Sequence, residues 1–299
     1  MIKKVLHKNI EREKYRKCLQ SAVNYRVYAE DWYLDAHTGA QWDCLVYNDY
    51  EAVMPLPYFR KFGVKIIYQP IFCQQLGVFH PSISDQNKLQ QFSDKFGQLP
   101  VYFYQLNEEN AELNFAGTKV KKNHVLPLSN SYDELRRNYR RDRIKDIKRI
   151  SKLSLSLSEE LHLQLLIQEL KKKYPYFAQY YDKPWFSQLM KEIIHRNLYT
   201  YYELKDGNES VASLFFIHSK ERMILLLSTR SEKPKHKGAF AFLMDYFIHN
   251  HTGSNLLLDW EGSTVPGIAD FNESFGAIVH HYHRIENTKL QLFRKIIKV

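Results

Sequence analysis

The chain has 299 residues, 44% of them hydrophobic and 14% aromatic, which suits two compact cores and argues against disorder. Lysine and arginine number 43 against 33 acidic residues, a formal charge of +10, so anionic partners are favoured: a phosphorylated cofactor, RNA or an acidic membrane surface. No run of about 18 apolar residues exists, which excludes an ordinary membrane-spanning helix. The amino terminus, Met1 to His7, turns polar too soon for a secretory leader. Cys18, Cys44 and Cys73 are widely spaced and odd in number, which fits neither a disulfide framework nor a zinc site and favours a reducing cytoplasm.

In the first half, Trp42–Tyr47 and residues 52–56 flank Asn48-Asp49, a hairpin signal, and Val64–Tyr68 continues the sheet. Ser84 is placed to cap a helix reaching Phe96, and 101–106 returns as a strand. Ser131 with Glu134 three residues on is a capping box. The helix it opens carries Arg136, Arg140 and Arg143 on one face, with Arg141, Lys145, Lys148, Arg149 and Lys152 over much of the rest. The domain boundary is expected at its end, giving domains 1–152 and 153–299.

In the second half Leu153, Leu155 and Leu157 alternate with serines, which predicts a half-buried strand. Ser158 is placed to cap a helix with Leu161, Leu165, Leu166 and Leu170 as its apolar stripe. A second helix begins near Pro184. Three strands follow, 199–204, 211–218 and 223–228, joined by Asp206-Gly207-Asn208 and Ser219-Lys220-Glu221. A helix from Gly238, a strand over 256–260, a short helix over 268–275 and a strand over 277–285 complete the order. This is an α+β sheet with crossovers. The meander, helix and strand of the first half repeat its middle, so an internal duplication is expected.

Several strings then resemble a known family. Asp259-Trp260-Glu261-Gly262-Ser263, Pro266-Gly267 and Phe271-Asn272-Glu273-Ser274-Phe275-Gly276 resemble the signature of the Fem-type peptidyltransferases. Met54-Pro55-Leu56-Pro57 and Gln74-Gln75-Leu76-Gly77 resemble the amino half of its bacterial members, and 123–128 with 132–150 its bridging region. The second half is similar to a GNAT domain in its order of elements. The resemblance covers nearly the whole chain. It implies two tandem GNAT-like domains, mixed sheets flanked by helices, and transfer of an acyl or aminoacyl group to an amine. The implied donor is acyl-CoA in ordinary GNAT enzymes and aminoacyl-tRNA in the cell-wall branch. Two positions depart from the pattern: Asn272 stands where the Fem signature carries lysine, and Lys235-His236-Lys237-Gly238-Ala239-Phe240 keeps one glycine of the GNAT phosphate loop.

Acyl transfer needs an anchor for the donor, a base for the amine and an acid for the leaving group. Gly238 at a helix start offers free N–H groups to an anion, so Lys235, His236, Lys237, Gly238 and Ala239 are the expected holders of acyl-CoA; the alternative is a solvated basic loop. Asp259 and Glu261 end a buried strand, where one is placed to accept the amine proton or to cap the following turn. Ser263 and Tyr282 are the hydroxyls expected to protonate a leaving group, although Tyr282 also reads as a plain strand residue. Of His280, His281 and His283 only the last two share a strand face, and no third ligand accompanies them, so no metal is expected. Arg136, Arg140 and Arg143 are the candidate RNA contacts. The expected activity is transfer from acyl-CoA to the amine of a small metabolite or an envelope precursor. The alternatives are an aminoacyl-tRNA-dependent peptidyltransferase with tRNA as partner, or a non-catalytic binding module. Peripheral membrane contact is compatible with the charge, and oligomeric state is not legible.

Overall fold

Alternation and turn chemistry set the strands. The computed structural model describes residues 1–81, 86–110, 113, 115–262 and 265–286. The chain divides into two compact units, residues 1–122 with 281–299 and residues 123–280.

The first unit opens with β1 (Ile2–Val5), α1 (Arg12–Ser21) and α2 (Asp31–Thr38), followed by β2 (Trp42–Tyr47), β3 (Ala52–Lys61) and β4 (Val64–Tyr68). All six residues of β2 are buried, as expected of a strand covered on both faces. The hairpin after it turns through Asn48 and Tyr50, both at positive φ. Next come α3 (Gln86–Gly97) and β5 (Val101–Gln105). A helix crossover leaves β5 parallel to β4, while β1–β2, β2–β3 and β3–β4 are antiparallel. Ser84, expected to cap α3, lies outside the described residues.

After β6 (Thr118–Pro127) the second unit continues with α4 (Tyr132–Arg137), α5 (Arg141–Ile150) and β7 (Ser156–Ser158). The capping box forms as expected: Ser131 N–H donates to Glu134 Oε2 at 2.9 Å, and Glu134 N–H donates to Ser131 Oγ at 3.4 Å. The expected single basic helix is two, because Arg140 N–H leaves the helical ladder to donate to Ser274 O at 2.9 Å. Then follow α6 (Leu163–Lys173), α7 (Ala178–Tyr181) and α8 (Pro184–His195), the meander β8 (Tyr199–Asp206), β9 (Glu209–Ser219) and β10 (Arg222–Arg230), α9 (Ala239–His251), β11 (Leu257–Asp259), α10 (Pro266–Glu273) and β12 (Ile278–Glu286). Two local expectations change. Helix α6 starts after His162 rather than at Ser158, whose hydroxyl accepts the Glu160 N–H instead, and Leu165 is exposed while Leu166, Ile167 and Leu170 are buried. The strand predicted from Leu153 shortens to three residues, with Leu153 itself exposed.

The core of this unit lies between its sheet and α5 and α9. Leu214 and Phe216 of β9 meet Leu243, Met244 and Phe247 of α9, with Phe216 and Phe247 stacked at 4.0 Å between ring centroids. Ile147 and Ile150 of α5 close the same cluster, and Trp260 and Phe275 carry it to the ends of β11 and α10.

Pairing makes the duplication explicit. In the first unit the strand order is β1-β2-β3-β4-β5-β12, and in the second it is β7-β8-β9-β10-β11-β6. Both run antiparallel except for one parallel step, β4–β5 and β10–β11. Each half of the sequence therefore supplies five strands to its own run and the sixth to the other: β6 pairs with β11, and β12 with β5. The division consequently falls inside β6 and β12, and α4 and α5 belong with residues 123–280, whereas the sequence put the boundary at Lys152. Burial explains the grouping, since Leu135, Ile147 and Ile150 are core residues of the second unit.

Candidate active site

Pairing between β10 and β11 ends at Ile224 and Asp259, and the signature residues follow directly. Asp259 is buried and both its oxygens are engaged: Arg222 Nη1 donates to Oδ2 at 2.6 Å, and Glu261 N–H donates to Oδ1 at 2.8 Å. That is the turn-supporting reading. Removing one member of such a buried ion pair costs about 3–5 kcal/mol. The turn it holds is unusual, because Glu261 (φ 55°) and Gly262 (φ 56°) are both left-handed; for a residue with a Cβ this costs roughly 1–2 kcal/mol. Ser263 lies outside the described residues. Tyr282 is buried in the part of β12 that belongs to the first unit, whereas Asp259 and Glu261 belong to the second.

The loop entering α9 is committed to the protein itself. Gly238 has φ 93°, and a Cβ there would sit 2.8 Å from Asp146 Cβ and 3.2 Å from Arg149 Nη2, so α5 packs onto the position that glycine leaves open. Asp146 pairs with Arg149 at 3.0 Å and Arg143 at 3.2 Å, and Arg149 also donates to the Lys237 carbonyl. His236 is buried between Ser231 Oγ and Asp206 Oδ2, each at 3.0 Å, and Lys235 Nζ reaches the same Asp206 oxygen at 2.5 Å. Ala239 is buried. Of the five residues expected to hold acyl-CoA, only Lys237 presents an exposed side chain without an acidic partner among the described residues. Asp146, paired with two arginines, fills the space beside Gly238 with its Cβ.

The three arginines expected to contact RNA are likewise engaged. Arg140 forms a bidentate pair with Asp270 of α10 at 2.6 and 2.8 Å. Arg143 pairs with Asp142 and Asp146, both at 3.2 Å, and lies 5.0 Å over the Phe271 ring. Arg136 donates to the Tyr132 hydroxyl at 2.7 Å, which in turn donates to Asp245. Other cations of this stretch, Arg141, Lys145, Lys148 and Lys152, are exposed and have no acidic partner among the described residues. They are spaced by four, three and four, one stripe opposite the buried Ile147 and Ile150. Those isoleucines mark the buried face and were a usable signal in the sequence.

A second constellation, at the end of α10, was not assembled from the sequence. Asp259 pairs with Val125 and Leu258 with Leu126, and Trp260 N–H donates to His124 O at 3.1 Å, so His124 and Trp260 are opposite and point to one face. The fully buried His124 ring has Nε2 3.3 Å from Glu273 Oε1, while the Glu273 side chain is 48% exposed. His124 Nδ1, Trp260 Nε1 and Asn272 Nδ2 are buried polar atoms with no hydrogen-bond partner among the described residues. Leaving such a group unsatisfied costs about 1–3 kcal/mol, so a concentration of three asks for a reason. Asn272, Trp260 and Glu273 lie in the signature quoted above; nothing local marked His124. Among the described residues no three His, Cys, Asp or Glu side chains are grouped to hold a metal ion, and no helix is long and apolar enough to cross a membrane.

Two units of this topology, each a meander with a helix crossover onto a parallel strand, make a duplicated fold that solved structures share. No family model matches the sequence, and no curated protein does. Among solved structures, FemX is similar over 99% of this chain and 100% of its own, with TM-score 0.61 at 10% identity. L-PGS from Bacillus licheniformis is similar over 95% of both chains, with TM-score 0.54 at 13% identity. The C-terminal domain of a putative lysylphosphatidylglycerol synthetase from Agrobacterium fabrum is similar over 93% of both chains, with TM-score 0.55 at 10% identity. At these identities the likeness is one of fold.

Proposed function

We propose that the chain is a transferase that moves an aminoacyl group from a charged tRNA to an amine. The acyl-CoA reading requires a pyrophosphate at the start of α9. The observation that turns the choice is steric: Asp146 Cβ packs onto Gly238, and Arg149 is spent on Asp146 and on the Lys237 carbonyl. A polyanionic carrier, by contrast, suits the stripe Arg141, Lys145, Lys148 and Lys152, whose charge no acidic side chain among the described residues neutralises. The names of the similar structures agree in kind, since a lysylphosphatidylglycerol synthetase is named for a product that carries an amino acid. Charged tRNA as donor puts the reaction in the cytoplasm.

The test uses the full chain with a mixture of tRNAs charged with radiolabelled amino acids, or with radiolabelled acetyl-CoA, and a low-molecular-weight cell extract as acceptor. Transfer from tRNA that weakens steeply with salt is the expected result. Salt-insensitive transfer from acetyl-CoA would overturn the donor assignment. Consumption of neither would leave the fold as a binding module.

A further inference from the structure

We propose that Glu273 is the base that receives the acceptor's proton, that His124 is its positioning residue, and that the Trp260 indole N–H and the Asn272 amide N–H stabilise the reacting carbonyl oxygen. This rests on the transferase reading and moves its chemistry from Asp259 to the end of α10. Asp259 is an unsuitable base, since both its oxygens already accept hydrogen bonds. Glu273 differs. It reaches solvent with half its side chain, and its contact inward is with His124 at 3.3 Å. With Nε2–H donating to Glu273 Oε1, the buried His124 Nδ1 is left without a partner among the described residues. The imidazole is fixed on β6, the carboxylate on α10, so a strand and a helix together set the direction of the carboxylate.

The two buried donors supply the second half. An indole N–H can only donate, and a buried one without an acceptor is a standing cost. Trp260 is held by its strand opposite His124, and Asn272 precedes Glu273 in α10. A developing oxyanion is the ligand type that two such donors satisfy together. The step balances without a further reagent. The amine nitrogen forms a bond to the donor's ester carbon as Glu273 takes the amine proton, and the carbonyl π pair moves to the oxygen facing Trp260 and Asn272. As the carbonyl re-forms, the bond from carbon to the ester oxygen breaks and Glu273 returns the proton to that oxygen. The position occupied by Asn272, where the signature carries lysine, then acts as a neutral donor in place of a cation.

The experiment measures transfer by the full-length protein with the charged-tRNA mixture and extract above, together with tRNA binding. Glu273→Gln is expected to lower kcat by about 10²-fold or more with tRNA affinity unchanged. Trp260→Phe and Asn272→Leu remove the donors while keeping an apolar side chain in place, and each is expected to lower it by about 10²-fold. His124→Leu is expected to lower kcat by up to about 10²-fold through misplacement of the carboxylate while KM holds, and His124→Gln, whose amide N–H replaces Nε2–H, is expected to recover most of the rate. Melting temperatures separate folding losses from these effects. Wild-type transfer with Glu273→Gln equally active overturns this inference and leaves the transferase intact. His124→Gln as slow as His124→Leu overturns the positioning role, and Trp260→Phe and Asn272→Leu at the wild-type rate overturn the oxyanion role. A wild-type protein that consumes no charged tRNA overturns both inference and parent reading.

Discussion

At the scale of single residues, burial decides more than charge does. His37 in α2 is sealed in the first unit with its ring against the Ile71 carbonyl, and burial pushes its pKa from 6.5 down to about 4. The folded state favours the neutral ring, while the unfolded chain takes up a proton once the pH falls below the ordinary value. Stability from this site is therefore whole above pH 6.5 and drains away as the pH falls toward 4. Between pH 7 and pH 5 the loss is about 2 kcal/mol, and burial shifts His80 and His218 in the same direction. Urea unfolding at the two pH values is expected to show this loss, and His37→Gln to flatten it. A wild-type stability unchanged between them would mean that the ring is not held neutral. The same logic of burial governs the candidate site, where Asp259 is spent on Arg222 and a turn while Glu273, the last residue of α10, keeps a face to water.

At the scale of elements, α5 shows how a helix can be basic and still divide its labour. Arg143 and Arg149 hold Asp146 against the α9 loop, whereas Arg141, Lys145 and Lys148 face outward. Reversing Lys145 and Lys148 to glutamate is expected to weaken tRNA binding and to reduce its salt slope by about 0.7–0.9 for each phosphate no longer neutralised, with the melting temperature little changed. Reversal at Arg140 is expected to act differently, since its partner is Asp270 of α10. Arg140→Asp should lower the melting temperature, and Arg140→Asp with Asp270→Arg should restore it. Equal effects of both reversals on the salt slope would show that Arg140 faces the nucleic acid instead. The sequence displayed every one of these cations, and the capping box that starts α4, but not which of them carboxylates would consume. The sorting depends on which acidic side chains α9 and α10 bring alongside.

At the scale of the whole molecule, the exchange of sixth strands ties the ends of the chain into its middle. The first unit is incomplete until residues 281–286 exist, because Arg284, Ile285 and Glu286 pair with Gln105, Tyr104 and Phe103, and Leu106 N–H donates to His283 O. Ending the chain at His280 removes that neighbour from β5 while leaving β7 to β11 of the second unit whole. Limited proteolysis of the shortened chain is expected to cut first within residues 1–122, with the second unit resistant; simultaneous digestion of both would show that the second unit does not hold alone. What the sequence determined by itself was the α+β class, the repeat of meander and helix and the order of most elements after Trp42, but not β1, α1, α2, β6 or α7; hydrophobic periodicity, Asn-Asp and Asp-Gly turns and the Ser131–Glu134 box act over a few residues. What only the tertiary structure decided was which strand β6 and β12 would join, which arginines would be consumed by carboxylates, and that His124 would lie beside Glu273, 149 positions away. Pairings of that range leave no local trace, because the free energy that fixes them comes from burying surfaces that are distant in the chain.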